Sequence, residues 1–568
     1  MEKLVKSIYQ DVLSGKNRAY KETDHYEASY RMEDGKMVVF ISVSDANSRA
    51  FVSRGLAETL DEAVRLAVRR FNRNKPAGFK AESVKLDIVT SVRPVKRKTS
   101  RINIDRAEVR YNRGGDGLLF GKSFNTAFLP REVQAYRMVE NRKIVRERVY
   151  GAFEKHFLSS NKKAVKRMIA SDYMDVYKFK TEEHFYSESE GYLRLTRGRR
   201  SYGQLTAQDM WDAVALAKDN YYKHAVNSKG KFVYSFLPDL NQKPDDYNIL
   251  RHAGTTYSMI ETYELMPDDG LLKEIQRAID FLLQQTKKLT INGHEVDVVV
   301  EGDLIKLGGN GLSIVALAKY TQVTGDRQYL PIMQSMATWI YELQNGHDRF
   351  SVHKQKYSTG KDTDFVSHYY PGEAILAMAR LYQVDGNEKW LDAGENEANY
   401  LINTRDNDAT LKTIAHDHWL LYALNDLYRE RPKEMYLKHA FFVSEAIIRA
   451  QRLGDDLKPG WYGSYEKPGT PASTPVACRS EGLGAAYRLA SDHGYHSEAE
   501  KYKSAIEEGI KFQLQMQLKP ESVMYFDYKD LCLGAVHRHL NHFELRNDFT
   551  QHNISSFISY YRILKNNE

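Results

Sequence analysis

Hydrophobic residues recur at helical spacing from about residue 204 to the end of the chain. This spacing predicts twelve helices, near residues 206–225, 250–266, 269–287, 309–324, 328–344, 371–383, 388–403, 415–429, 433–452, 474–492, 495–516 and 549–565. Several consecutive pairs are joined by a short Asp/Gly turn, such as that at 324–326, whereas other connections, such as 345–370, are long. Short loops on one side and long loops on the other indicate stacked antiparallel hairpins.

The predicted helices alternate in polarity. Even-numbered helices, with segments such as 374–379 and 420–424, are apolar and rich in alanine, whereas odd-numbered ones, with segments such as 389–395, are amphipathic. Small residues permit close approach in an inner ring, and amphipathic helices suit an outer ring. We therefore expect residues 204–568 to form an all-α (α/α)6 toroid that contains the catalytic site. An open superhelical array is the structural alternative.

The first 203 residues show a different, mixed pattern. Segments 37–43 and 84–89 are rich in β-branched residues and are typical of strands. Between them, Thr59 is placed as the N-cap of a helix. A second strand pair is expected at 108–111 and 117–120, followed by basic helical sequence to about residue 170. We expect an α/β N-terminal domain over residues 1–203, to which the sequence assigns no role.

Composition excludes several classes of protein. The chain is 42% hydrophobic and 28% charged, as soluble globular proteins are, and no apolar run is long enough to span a bilayer. The first residues lack a secretory signal, and two cysteines do not make a disulfide framework, so we expect a cytoplasmic protein. The net charge of +7 accompanies no nucleic-acid-binding motif, so no nucleic-acid partner is expected. The oligomeric state stays open.

Six polar clusters, several of them containing glycine, lie at the starts of the even-numbered helices. They comprise residues 251–254, 308–311, 368–373, 416–419, 478–482 and 548–553. If the even-numbered helices form the inner ring, all six clusters meet at one mouth. That convergence of polar groups predicts an active site.

Five residues of these clusters are candidates for catalysis: Glu373, Asp417, His418, Glu481 and Tyr370. Glu373 lies in a first helical turn, where the helix N-terminus favours an ionised carboxylate and hence a nucleophile, base or binding role. Asp417 beside two histidines, and Glu481 beside an arginine, are also expected to stay ionised. His418 and Tyr370 can move a proton. The sequence therefore singles out no carboxyl group as a proton donor.

Other residues of the clusters are expected to bind substrate. Arg251 and Arg479 offer planar guanidinium groups that suit a carboxylate, sulfate or phosphate, although structural ion pairs with Asp246 and Glu481 are the competing interpretation. Trp419 offers a face on which a sugar ring can stack. The remaining expected binding residues are His252, Asn310, His368, Tyr369, His416, Asp548 and His552.

Three motifs carry a resemblance to a known superfamily: 230–234 (GKFVY), 368–373 (HYYPGE) and 478–483 (CRSEGL). With them, residues 204–568 resemble the six-hairpin toroid superfamily of carbohydrate-active proteins, which includes glycoside hydrolases, polysaccharide lyases and sugar epimerases. The resemblance implies an oligo- or polysaccharide substrate. Residues 1–200 faintly resemble the AMME chromosomal-region family of α/β domains but lack its Arg-Gly-Cys-Ile-Gly loop, so no function is carried over.

Four functions are compatible with these residues. The leading hypothesis is hydrolysis of an anionic glycan, and the first alternative is a uronate C5-epimerase or lyase that uses Tyr or His for proton abstraction. Toroids of the lanthionine-cyclase kind hold zinc through two cysteines and a histidine, for which Cys478, Cys532 and His537 are the candidates here, but the adjacent Cys-His pair of that family is missing. The last alternative is a non-catalytic binding scaffold. Because no third ligand is evident near His416 and His418, neither a metal nor a cofactor is expected.

Overall fold

The computed structural model describes residues 1–20, 23, 26–45, 47–96, 99–155, 170–344 and 348–566. The chain divides into two compact units. Unit 1 comprises Met1–Gly203, Leu237–Gln242 and Leu518–Leu533, and unit 2 comprises Gln204–Phe236, Lys243–Gln517 and Gly534–Glu568. Two short segments beyond the predicted boundary at residue 203 therefore belong to unit 1 rather than to the helical unit.

Unit 1 is built on an antiparallel sheet of eight strands, with a separate two-stranded ribbon, β7–β8. The strands are β1 (Met37–Ser44), β2 (Phe51–Ala57), β3 (Ser83–Pro94), β4 (Arg101–Asn103), β5 (Gly117–Phe120), β6 (Ala127–Phe128), β7 (Val139–Glu140), β8 (Lys143–Ile144), β9 (Tyr173–Ser187) and β10 (Gly191–Leu195). The order is β2-β1-β3-β9-β5-β6, and β4 and β10 also pair with β9. Helices Glu2–Ser14 and Leu60–Asn74 pack on one face, where alternate residues of β1 join a buried apolar core. Shorter helices cover Pro130–Ala135, Arg146–Lys155 and Pro520–Val523.

The predicted strands at 37–43 and 84–89 are confirmed as β1 and β3. Thr59 is the N-cap of the helix between them, since its hydroxyl accepts from Glu62 N at 3.3 Å. The predicted strand at 117–120 is confirmed as β5, but its pairing with 108–111 is wrong, because β5 pairs with β9 and Val109 N donates to Arg142 O instead. Strand β9, which organises the sheet, was not predicted. Of the basic helical sequence before it, residues 156–169 lie outside the described residues.

Unit 2 consists mainly of helices in two layers, and the inner layer is the even-numbered set predicted from the sequence. Inner helices 1 to 6 are Ile249–Leu265, Leu307–Thr324, Tyr370–Asp385, His418–Glu430, Ser473–Asp492 and Asn547–Lys565. They contact one another in a closed cycle, with inner helix 6 packed against inner helix 1. The outer helices are Ala207–Leu216 (continued by a π-helical turn, Ala217–Tyr222, and by Lys223–Ala225), Asp269–Leu283, Leu330–Glu342, Glu388–Tyr400 (continued by a π-helical turn, Leu401–Arg405), Glu434–Arg449 and His496–Leu514. Each of the last five packs against the inner helix before it, and the first packs against inner helix 6.

Glycines allow the inner helices to approach closely near the cavity. A Cβ atom at Gly372 of inner helix 3 would lie 2.7 Å from Leu420 N of inner helix 4. A Cβ atom at Gly311 of inner helix 2 would lie 3.1 Å from the backbone of Glu373. Larger residues at these positions would push the first turns of neighbouring helices apart, so the glycines set the spacing of the cavity wall.

Short strands occupy the connections of unit 2. Strands β12 (Thr286–Ile291), β13 (His294–Glu301), β14 (Leu304–Lys306) and β15 (Lys354–Lys356) form one antiparallel sheet. Strands β11 (Ser235–Phe236), β16 (His537–His539) and β17 (His542–Arg546) form another, and β17 leads directly into inner helix 6. No helix in the part of the chain that the structure describes has both the length and the apolar character needed to cross a membrane.

Candidate active site

The N-terminal turns of all six inner helices line one cavity of about 550 Å³. Five of the six predicted polar clusters contribute residues to it, whereas the cluster at 308–311 contributes none and inner helix 2 lines the cavity with Leu312 instead. The cavity residues are Asn248, Leu250, Arg251, Leu312, Tyr369, Tyr370, Glu373, His416, His418, Trp419, Lys467, Ala472, Thr474, Pro475, Cys478, Arg479, Arg538, Arg546, Asp548, Phe549, Gln551 and His552.

Glu373 places a buried carboxyl group in the wall of this cavity. Its side chain is only 2% exposed, and its Oε2 atom has no hydrogen-bond partner among the described residues. The carboxyl lies over Gly308, where a Cβ atom would be 2.0 Å from Oε2. Burial raises the pKa of Glu373 to about 8, the Asp417 charge adds to the rise, and His552 opposes it. The expectation that the helix N-terminus keeps Glu373 ionised is therefore wrong, because desolvation outweighs the helix dipole.

Asp417 is a second buried carboxyl group and the N-cap of inner helix 4, and, like Glu481, it does not itself line the cavity. Its Oδ1 atom accepts from Trp419 N at 3.0 Å and from Leu420 N at 3.2 Å, whereas Oδ2 has no partner among the described residues. Burial raises the pKa of Asp417 to about 7, against the opposing effects of Arg405 and the two backbone N–H groups. Asp417 is thus also less acidic than the sequence predicted.

Four side chains from three inner helices form a compact group, which we name the His/Cys cluster. It contains His418, Cys478, Glu481 and His552, and one potential ligand atom from each lies within 4.8 Å of the others. His552 Nδ1 donates to Glu481 Oε1 at 2.8 Å, and the Tyr422 hydroxyl donates to Glu481 Oε2 at 3.4 Å. Cys478 also hydrogen-bonds to His552. These contacts join residues that are remote in the sequence.

The charges within the His/Cys cluster are strongly coupled. Burial lowers the pKa of His552, but the Cys478 and Glu481 charges outweigh it and raise that pKa well above the ordinary value. Burial raises the pKa of Glu481 and of Cys478, and His552 opposes both shifts. His418 is 4% exposed, and neither of its ring nitrogens has a partner among the described residues. Burial, helped by His552 and Arg479, lowers the pKa of His418 well below its ordinary value.

Two arginines at the cavity share one carboxylate. Arg251 Nε lies 3.0 Å from Asp548 Oδ2, and Arg546 binds both oxygens of Asp548, at 2.5 and 2.9 Å. Arg251 also donates to the Tyr234 hydroxyl. Asp548 is therefore already paired, so it orients the two guanidinium groups, and Asp246 is not the partner of Arg251.

Arg479 has no carboxylate partner among the described residues. Its Nε atom donates to His416 Nδ1 at 2.8 Å, and its Nη1 atom donates to Pro475 O at 2.7 Å. The ion pair with Glu481, the competing interpretation of the sequence, does not form, since Glu481 bonds to His552 instead. Burial and the nearby Arg479 charge lower the pKa of His416 to about 4, so His416 is neutral and can accept this bond.

Aromatic side chains complete the wall. Tyr369 is 47% exposed at the cavity, whereas Trp419 is 4% exposed and packs against the rings of His418 and Tyr422. Tyr370 is half-buried, and burial together with the Glu373 charge raises its pKa. A hydroxyl of this kind is a poor base at neutral pH, which argues against Tyr370 as the group that removes a proton.

Three expected binding residues do not line the cavity. His252 is fully buried and bonds to the Tyr247 hydroxyl at 2.6 Å and to Ala278 O at 2.8 Å. Asn310 is equally buried, and its amide bonds to Val299 N at 2.8 Å and to Lys306 O at 3.0 Å. His368 is exposed and lies outside the cavity. Buried polar groups need hydrogen-bond partners, and His252 and Asn310 find theirs inside the protein, so both have a structural role rather than a binding role.

Several cavity residues were missed by the sequence reasoning. Lys467 and Arg538 line the cavity from the connections before inner helices 5 and 6, outside the polar clusters at the helix starts. Cys478 was considered only as a zinc ligand beside Cys532, which is a buried residue of unit 1. The cavity position of Cys478 follows from helical spacing, since Cys478 and Glu481 are three residues apart on inner helix 5.

Comparisons with known proteins give similarities at low sequence identity. No protein-family model matches the chain, and no curated protein matches it. A cellobiose 2-epimerase from Bacillus thermoamylovorans is 13% identical with a TM-score of 0.47, and the match covers 63% of this chain and 99% of that one.

Two hydrolases give similar values. An α-1,6-mannanase from a Salegentibacter species is 14% identical with a TM-score of 0.45, over 63% of this chain and 100% of that one. An unsaturated glucuronyl hydrolase specific for heparin is 15% identical with a TM-score of 0.45, over 63% and 98%. No comparison supports the resemblance of residues 1–200 to the AMME chromosomal-region family.

Proposed function

We propose that unit 2 is a carbohydrate-active (α/α)6 toroid that hydrolyses glycosidic bonds of an anionic oligo- or polysaccharide in the cavity. The observation that carries this proposal is the pair of buried carboxyl groups of Glu373 and Asp417, each with an oxygen that lacks a partner among the described residues. They occupy the starts of adjacent inner helices. Glycoside hydrolysis needs two such groups, one to protonate the leaving oxygen and one to act as base or nucleophile.

Glu373 is assigned as the proton donor. It lines the cavity, and its raised pKa of about 8 keeps most of it protonated at neutral pH. A carboxylic acid held in this form can protonate a glycosidic oxygen, which an ordinary ionised glutamate does poorly. Asp417 is assigned as the second carboxylate. Its Oδ1 atom is fixed by two backbone N–H groups, and its buried Oδ2, which has no partner among the described residues, is assigned to accept a proton from the attacking water.

The charge of the cavity favours an anionic substrate. Four arginines and one lysine line it, against the carboxyl groups of Glu373 and Asp548. Asp548 is already paired, and Arg479 has no carboxylate partner among the described residues. A planar guanidinium group in this setting suits a uronate carboxylate or a sulfate. The exposed ring of Tyr369 provides a surface on which a sugar can stack.

The test is turnover of oligosaccharides by the full chain and by matched variants. We expect release of new reducing ends from uronate-containing or sulfated oligosaccharides and much less from neutral ones. Glu373→Gln and Asp417→Asn each lower kcat by about 100-fold or more, the usual effect of removing an acid or base. Glu397→Gln is the matched control, because Glu397 is also a buried carboxyl but lies on an outer helix and accepts from the backbone of Phe350.

Glu397→Gln is expected to keep the activity of the wild type. Equal turnover by Glu373→Gln and the wild type would refute the assignment. If the wild type binds an anionic glycan but does not cleave it, and neither Glu373→Gln nor Asp417→Asn changes that binding, unit 2 is a binding scaffold instead.

A second function, a uronate epimerase or lyase, is favoured by one observation. His418 has two ring nitrogens without partners in the described part of the chain, and Arg479, which can neutralise a uronate carboxylate, lines the same cavity. An unprotonated imidazole beside a neutralised carboxylate can remove the adjacent carbon-bound proton. This reaction predicts deuterium uptake from D2O, or an unsaturated product that absorbs ultraviolet light, and dependence on His418 rather than on Glu373.

A further inference from the structure

The His/Cys cluster has a composition that the proposed hydrolysis does not use. Its members come from inner helices 4, 5 and 6, and three of them, His418, Cys478 and His552, line the cavity. Glu481 is fully buried behind them. Two imidazoles and a thiol are the side chains that zinc prefers, and catalytic zinc sites use three protein ligands with one open position.

The ring nitrogens of His418 indicate that this cluster binds a ligand. Its side chain is almost completely buried, yet neither ring nitrogen has a hydrogen-bond partner among the described residues. Buried polar groups in folded proteins are nearly always satisfied. A cation bound beside Cys478 and His552 would take one of these nitrogens as a ligand and so satisfy it.

His552 and Glu481 show the arrangement that supports a metal-binding histidine. The Nδ1–H group of His552 donates to Glu481 Oε1 at 2.8 Å, which leaves Nε2 as the ligand atom. Histidines that bind metals commonly donate their other N–H group to a carboxylate, which fixes the ring. All the potential ligand atoms lie within 4.8 Å of one another, while ligand atoms around a zinc ion are roughly 3–4 Å apart. Metal binding would therefore draw these side chains closer together by up to roughly 1 Å.

We propose that His418, Cys478 and His552 bind a divalent transition-metal ion, zinc by preference, in the cavity wall. Glu481 positions His552, and the fourth coordination position faces the cavity, where it takes a water molecule or a substrate oxygen. On binding, the Cys478 thiol releases its proton to solvent and coordinates as thiolate. The proposal does not depend on hydrolysis, because neither Glu373 nor Asp417 is a ligand.

The experiment uses the purified full chain, treated with a chelator and then dialysed against Zn²⁺ or Co²⁺. Elemental analysis is expected to find one ion per chain. Cobalt is expected to give the intense visible bands of a four-coordinate site and a thiolate-to-metal charge-transfer band. Cys478→Ser removes the charge-transfer band, and His418→Gln weakens binding by at least about tenfold. Glu481→Gln weakens it by about 10- to 100-fold, as loss of a supporting carboxylate does.

Two matched variants serve as controls. Cys532→Ser changes the other cysteine of the chain, which lies in unit 1, and His416→Gln changes the neighbouring histidine, which bonds to Arg479. Both are expected to keep one ion and the charge-transfer band. Circular dichroism checks that each variant folds, and the cobalt spectrum of the wild type is informative even if a variant does not.

Some results would overturn the metal site. They are less than a tenth of an ion per chain in the wild type, a cobalt spectrum without the thiolate band, or full binding by both Cys478→Ser and His418→Gln. None of these results affects the hydrolysis proposal, whose test is the loss of turnover in Glu373→Gln. A Glu373→Gln variant that binds zinc normally but does not turn over substrate would support both proposals separately.

Discussion

Replacing Glu373 with glutamine is expected to stabilise the protein while it removes activity. The folded-state pKa of about 8 lies above the ordinary value of 4.5, so ionisation of Glu373 opposes folding. Below the pKa of the unfolded state, a carboxyl group with a raised folded-state pKa does not destabilise the fold. Above it, the destabilisation grows as the pH rises and levels off once the pH passes the folded-state pKa. Because each pH unit corresponds to about 1.4 kcal/mol, the cost reaches about 3 kcal/mol near pH 7 as an upper bound. Glutamine has nearly the same shape and no charge.

The assay is urea unfolding of wild type and Glu373→Gln at about pH 5 and about pH 7.5, followed by the fluorescence of the tryptophans, with chelator-treated protein. We expect nearly equal free energies of unfolding at the lower pH and a clear advantage of the variant at the higher pH. A difference that does not change with pH, or a variant that is less stable than the wild type at neutral pH, would show that burial does not hold Glu373 protonated.

Glu521 offers a control of opposite sign in unit 1. It is as buried as Glu373, but Arg200 binds both of its oxygens, at 2.7 and 2.9 Å. Although burial acts to raise the pKa of Glu521, the Arg200 pair outweighs it and lowers that pKa. Stability from Glu521 is thus present above its unfolded pKa and lost as the pH falls through the folded one. Glu521→Gln is therefore expected to destabilise the protein at neutral pH and to matter less in acid.

Three further predictions test particular contacts. Gly308→Ala places a Cβ atom 2.0 Å from Glu373 Oε2 and should reduce turnover at least about tenfold by displacing that carboxyl. The matched variant Gly309→Ala, whose Cβ atom has its nearest neighbour 3.6 Å away, should keep activity and gain about 0.5–1 kcal/mol in unfolding free energy. Equal activities of the two variants would contradict this expectation. Asp417→Ala should lose about 1 kcal/mol more stability than Asp417→Asn, because asparagine keeps the helix cap, and equal melting temperatures would count against the cap. Lys85→Met should cost about 3–5 kcal/mol in unfolding free energy, because the buried carboxylates of Asp87 and Glu183, 3.0 and 2.9 Å from Lys85 Nζ, lose their cation. An unchanged free energy of unfolding in urea would contradict this pairing.

Periodicity and loop length were sufficient to predict the layered helices of unit 2. Alanine-rich segments such as 374–379 and 420–424 lie in inner helices, and short Asp/Gly turns such as 324–326 join the pairs. These signals depend only on neighbouring residues, so they can be read from the sequence without knowledge of the fold. Strand β9 was missed because its sequence mixes charged and apolar residues, and its role as the partner of β3, β4, β5 and β10 depends on pairing between distant segments.

The chemistry of the site was harder to predict than its location. The sequence placed Glu373 at a helix start but could not show that its carboxyl is desolvated, and this burial decides its pKa. His252 and Asn310 have the right residue types for binding, yet the helix positions turn them toward backbone groups. The His/Cys cluster joins His418, on inner helix 4, with residues of two other helices. Only the closed ring brings them together.

Solvent isotopes followed during turnover of uronate-containing oligosaccharides, by the wild type and by Glu373→Gln, separate hydrolysis from proton abstraction. For hydrolysis with Glu373 as the acid, we expect one ¹⁸O atom from labelled water at each new reducing end, no carbon-bound deuterium from D2O, and loss of both cleavage and label in Glu373→Gln. Deuterium at the carbon beside the carboxylate, formed equally well by Glu373→Gln, would rule out this role of Glu373 and identify proton abstraction as the reaction.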